Sequence, residues 1–131
     1  MPRPPSEQPT ELELQLLKIL WEQSPQPVRE IRDALAQTGR DIAHTSVITT
    51  LNTMVEKGFL LRARDGKAFL FSPAVTRDAV SEQMLGQVVH RVFDGSASAV
   101  MLSLLNTADL DDEELRLLRR MVNRRMKGQE E

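Results

Sequence analysis

Apolar residues first recur at helical spacing and then alternate. Leu14, Leu17 and Trp21 fall on one helical face, which Leu16, Ile19 and Leu20 widen. Ahead of them Thr10-Glu11-Leu12-Glu13 has capping-box spacing: Thr10 is placed to accept from the amide three residues on, and Glu13 to reach back. This predicts a helix over 11–23, stopped by Ser24-Pro25-Gln26-Pro27. Val28, Ile31 and Leu35, with Ala34 beside them, predict a second helix over 28–37, with Gly39 as its C-cap candidate. Val47, Leu51, Met54 and Val55 mark the inward stripe of a third, from His44 to Gly58. Two short runs, 60–64 and 67–71, then flank Asp65-Gly66, a strong hairpin signal because a type I′ turn needs positive φ at both central residues. With Asp65 and Gly66 as the turn, Arg64 opposes Lys67 and Arg62 opposes Phe69; Pro73 ends the second strand.

Three helices and a hairpin in that order make a winged helix-turn-helix, and the remainder of the chain is helical. Thr76 is placed to cap a helix reaching about Phe93, which Asp94-Gly95 breaks. Ser96 caps Ala97 to Leu105, and Asp111 with Glu114 opens a last helix whose apolar face is Leu115, Leu118, Met121 and Val122. The expected fold is therefore mainly α with a small β-hairpin. Residues 1–9, Pro-rich and polar, read as a disordered arm. Residues 10–75 form the winged helix-turn-helix domain and 76–131 a helical dimerisation region. The C-terminal helices carry more apolar positions than one short subdomain buries. Val80, Met84, Val88, Val92, Val100, Leu104, Leu118 and Val122 are accordingly expected at a homodimer interface; the alternative is an intrachain core against the winged helix. A two-fold dimer suits paired half-sites, since one module reads few base pairs.

Composition narrows the function. The 131 residues include no cysteine, which excludes disulfides, thiolate zinc sites, iron–sulfur clusters and a catalytic thiol. No apolar run has membrane-span length and no signal-peptide core follows Met1-Pro2-Arg3-Pro4-Pro5, so a soluble cytoplasmic protein without membrane insertion is expected. His44 and His90 are too few for a metal site, and no cofactor motif stands out. No nucleophile–base–orienter set is present either, so an enzyme is not expected. Net charge is −2, which by itself argues against nucleic acid. The distribution is uneven, however: Arg40, Lys57, Arg62, Arg64 and Lys67 outnumber Asp41, Glu56 and Asp65 over 40–72.

In a helix-turn-helix the second helix of the motif enters the major groove. Elimination of the inward stripe leaves His44, Thr45, Ile48, Thr49, Asn52 and Thr53 facing outward. Asn52 has the chemistry to pair with adenine, and Ile48 and the Thr49 methyl to touch thymine methyls. Thr45 and Ser46 sit at the helix N-terminus, which suits a phosphate. Lys57, with Arg62, Arg64 and Lys67 on the wing, would contact the DNA backbone. The plainer alternatives are a solvated helix face and, for the wing cations, protection of an edge strand by charge.

Several stretches together resemble the penicillinase-repressor family. They are Thr10-Glu11-Leu12-Glu13 through Ile19-Leu20-Trp21; Val28-Arg29-Glu30-Ile31; Thr45-Ser46-Val47 through Leu51-Asn52; Lys57-Gly58; Asp65-Gly66-Lys67-Ala68-Phe69 and Phe71-Ser72-Pro73; Phe93-Asp94-Gly95-Ser96; and Leu110-Asp111-Asp112-Glu113-Glu114-Leu115. The resemblance implies a homodimeric repressor at dyad operators, often of β-lactamase or related resistance genes. It also implies a regulatory protease as partner in antibiotic-responsive members, whose cleaved Asn–Phe bond aligns with Ser103-Leu104 here. The copper-responsive branch carries C-terminal cysteines, which this chain lacks, and Thr53 and Glu56 stand where basic residues are common. Two alternatives stand beside a DNA-binding repressor: a winged-helix module that docks a protein, and a ligand-sensing regulator of the multiple-antibiotic-resistance type.

Overall fold

A computed structural model of the chain describes residues 8–130. The chain divides into two compact units, Met1–Gly86 and Gln87–Glu131. The first contains α1 (Glu11–Glu22), β1 (Gln26–Pro27), α2 (Val28–Gln37), α3 (His44–Lys57), β2 (Leu60–Asp65), β3 (Ala68–Pro73) and the start of α4 (Arg77–Arg91). The second contains the end of α4, then α5 (Ala97–Thr107) and α6 (Asp112–Glu130). Of the expected N-terminal arm, residues 1–7 lie outside the described residues, and Pro9 is buried.

The core of the first unit is built from the expected stripes. Leu16, Leu17 and Leu20 of α1 meet Ile31 and Leu35 of α2 and Val47, Leu51 and Met54 of α3, closed by Phe59, Leu60 and Phe71. Each such side chain removed from water contributes about 1.5–3 kcal/mol. The capping box forms as expected: the Glu13 amide donates to Thr10 Oγ1 at 3.2 Å and the Thr10 amide to Glu13 Oε1 at 2.9 Å. Gly58 closes α3 with a left-handed φ of 90°, a conformation glycine adopts without a Cβ penalty. The Trp21 indole N–H donates to the Val75 carbonyl at 2.9 Å, tying α1 to the chain just before α4.

Three features differ from the sequence-based expectation. The hairpin turn sits one residue later. Asp65 pairs with Ala68, Arg64 with Phe69 and Arg62 with Phe71, so Gly66 and Lys67 are the central residues. Gly66 has φ +63°, while Asp65 and Lys67 do not take positive φ. That is the demand of a type II′ turn, with glycine at its first central position. The sheet also has three strands, in the order β1-β3-β2, because Gln26 and Pro27 pair with Phe71 and Leu70. Finally, Val80 is not free for a partner copy. It is buried in the winged-helix core, and Met84 packs against that core, so the division between units falls within α4.

The far end of α3 is held to the start of α1. Lys57 Nζ lies 3.0 Å from Glu13 Oε2 and 3.2 Å from Oε1, and the Glu13 side chain is almost fully buried. The carboxylate that completes the capping box is thus also neutralised by the last residue of α3. Lys57→Met is expected to lower the free energy of unfolding by about 1–3 kcal/mol, because it strands a buried charge. Arg64→Met, on the exposed wing, is expected to change it by less than about 0.5 kcal/mol. Urea titration followed by the fluorescence of Trp21 reads both, and equal effects would refute the assignment.

Candidate nucleic-acid interface

Burial of Val47, Leu51 and Met54 fixes which side of α3 meets solvent. His44, Thr45, Ser46 and Thr49 are exposed, and Ile48, Asn52 and Thr53 are half-buried. The Thr49 hydroxyl donates to the Thr45 carbonyl at 2.8 Å, so its proton is committed to its own helix. The start of α3 is unlike that of most other helices here. Thr10, Thr76, Ser96 and Asp111 cap α1, α4, α5 and α6 through their side chains, whereas Ala43 ahead of α3 has no side-chain acceptor. No acidic residue lies in the first turn of α3. Its leading amides and the positive end of its dipole therefore remain open to an anion.

The wing stands beside this face. A groove of about 550 Å³ runs between them, lined by His44, Ile48 and Asn52 of α3 and by Lys67, Phe69 and Phe71. Arg62, Arg64 and Lys67 are all exposed. The two guanidinium groups converge on one aromatic ring: Arg62 lies 4.7 Å and Arg64 5.7 Å from the centroid of Phe69. Arg64 Nε also donates to the Gly66 carbonyl at 3.3 Å. Arg62 Nη1 reaches across to α3 and donates to Asn52 Oδ1 at 2.7 Å. A guanidinium has donors only, so the atom it faces on Asn52 must be the carbonyl oxygen. That oxygen is the one an adenine amine would need, so the sequence expectation of an adenine-reading Asn52 meets a competitor in Arg62.

The structure thus brings together His44, Thr45, Ser46, Ile48, Thr49, Asn52, Arg62, Arg64 and Lys67 on one side of the first unit. It draws Lys57 away to Glu13. Phe69 is the residue that sequence reasoning misses. Its signal is a large apolar side chain in a strand flanked by exposed positions, left 39% exposed by the fold. Among the described residues no group of three His, Cys, Asp or Glu side chains is arranged to hold a metal ion, and no helix is long and apolar enough to cross a membrane.

The second unit presents a different surface. Among its described residues α5 and α6 bury no side chain. Val88, Val92, Leu104, Leu118 and Val122 are exposed, as are Met101, Leu102, Leu105, Leu115 and Met121, while Val100 is half-buried.

Known proteins share both sequence and fold. The chain is 28% identical over 106 residues to the transcriptional regulator BlaI of Mycobacterium tuberculosis, covering 79% of this chain and 76% of that protein. It is 24% identical over 106 residues to the penicillinase repressor of Bacillus licheniformis, covering 81% and 82%. Among solved structures, the DNA-binding domain of the repressor BlaI superimposes with a TM-score of 0.50 at 23% identity, covering 59% of this chain and 90% of that domain, which supports the winged-helix fold. The family profile described as penicillinase repressor matches residues 9–124, nearly the whole described chain, and the protein belongs to that family.

Proposed function

We propose that the chain is a homodimeric, sequence-specific DNA-binding repressor of transcription acting at dyad-symmetric operators. The observation that carries this reading is the joint surface of α3 and the wing. An uncapped helix N-terminus, a half-buried row of Ile48 and Asn52, and three exposed cations lie on one side of the first unit. In the assigned roles, the open amides with Thr45 and Ser46 hold a phosphate at the start of α3, and His44 lies alongside. Ile48, Thr49, Asn52 and Thr53 face base edges in the major groove. Arg64 and Lys67 take backbone phosphates on the wing. The net charge of −2 makes this local placement, rather than a global field, the source of attraction.

The dimer rests on the second unit. Apolar side chains that the end of α4, α5 and α6 leave in water within one copy favour a second copy, with Val88, Val92 just beyond α4, Val100, Leu104, Leu118 and Val122 in the contact. Relatives named for penicillinase and methicillin resistance suggest β-lactamase or related resistance genes as the regulated class. Repression would act in the cytoplasm. Relief by a regulatory protease would require cleavage at a sequence other than the family pair, since Ser103-Leu104 occupies that place.

Binding to its own promoter region is expected to weaken steeply with salt, as phosphate contacts release counterions. Arg64→Ala should lower affinity for all sequences alike and reduce the slope of log K against log salt by about 1. A footprinting titration that shows no protected dyad, or a salt response that is flat, would overturn the reading. For the dimer, Leu118→Glu with Val122→Glu should shift sedimentation from dimer to monomer and weaken operator binding at least tenfold, while leaving far-ultraviolet circular dichroism near that of the parent; a variant that stays dimeric would remove these residues from the interface.

A further inference from the structure

Resting on the DNA-binding reading above, we infer that Arg62, held by Asn52 and Phe69, is a base-reading residue that selects a guanine in each half-site. Position alone would make it another backbone cation on the wing. Its contacts argue otherwise. The guanidinium is stacked over Phe69 at 4.7 Å and donates to Asn52 Oδ1 at 2.7 Å, so it is fixed from two elements at once, β3 and α3. A phosphate contact needs charge but not orientation. A base contact needs a guanidinium held in a set plane, because bidentate recognition depends on the fork geometry.

The chemistry of the pair then chooses the base. With Oδ1 engaged, Asn52 offers its amide hydrogens outward. A further donor approaching the second lone pair of Oδ1 would meet the positive charge of the guanidinium. Arg62 has only donors. The combined edge is therefore a row of donors. In the major groove guanine presents two acceptors, N7 and O6, whereas adenine and cytosine place an amine there and thymine offers the single acceptor O4 beside its methyl, too few for both arms of the fork. A donor-only edge matches guanine and is repelled by either amine. Arg62 touches the base in this arrangement. Phe69 is a positioning residue, since its ring limits where the guanidinium plane can lie.

The test is selection of bound sites from a pool of random-sequence DNA duplexes, using the full-length protein and its variants. The parent should enrich a guanine at one fixed position of each half-site. Arg62→Lys keeps the charge but loses the fork, so preference for that guanine should fall about tenfold while the salt slope stays the same. Phe69→Leu should weaken the same preference without moving the melting temperature of the first unit's core, and Phe69→Tyr should retain it. Identical enriched sites for the parent and Arg62→Lys would overturn the inference and make Arg62 a backbone contact. An enriched adenine that disappears in Asn52→Ala would also overturn it, because Asn52 would then release Arg62 to read the base itself. A parent protein that enriches no sequence would instead bring down the DNA-binding reading on which this rests.

Discussion

Val47, Leu51 and Met54 lie along one stripe of α3 with almost no exposure, and this burial is the constraint on which the first unit depends. Successive residues of an α-helix are rotated by about 100°, so a turn of α3 by one position would bring either Asn52 or Thr50 and Thr53 toward the core and carry core side chains toward water. The stripe therefore sets both the packing of α1 and α2 and the identity of the outward face. Everything assigned to recognition depends on it. Ile48 and Asn52 are half-buried because they flank the stripe, and the hairpin meets that same flank where Arg62 donates to Asn52.

Elements whose signal is local are legible in the sequence, and those whose signal is tertiary are not. The spans of α1, α2 and α3 agree with the helical spacing to within a residue at each end, and the caps at Thr10, Thr76, Ser96 and Asp111 all form. β1 is invisible there because two residues, one of them Pro27, have no alternation to read; its existence comes from pairing with β3. The place of the hairpin is legible, but its register is not. Asp65-Gly66 resembles a type I′ turn, and only the pairing of Asp65 with Ala68 moves the glycine to the first central position. The same limit governs the candidate site. Outward residues of α3 are recoverable by elimination, whereas the contacts of Arg62 with Asn52 and Phe69 join segments whose register has to be known first. Lys57 carries no sequence mark that distinguishes a cation for phosphate from one that neutralises a buried carboxylate.

The two units solve opposite problems. In the first, among the described residues, every buried side-chain nitrogen and oxygen has a hydrogen-bond partner and the apolar positions are enclosed. In the second, α5 and α6 are well capped at their starts, yet their apolar faces remain wet. Local helix signals are strong enough to specify these helices, but short helices gain most of their stability from packing. The apolar faces of α5 and α6 are therefore the part of the chain with most to gain from being covered.

Glu13 closes the capping box of α1 and also receives Lys57 from the last turn of α3. Two positions far apart in the chain thus share one carboxylate. A neutral residue at either one alone leaves the other with an uncompensated charge or an unfilled role, while paired replacement by apolar side chains need not be harmful. A substitution at the residue before Gly58 thus reaches the first turn of α1, and the helix that faces outward is tied through one carboxylate to a cap of its neighbour.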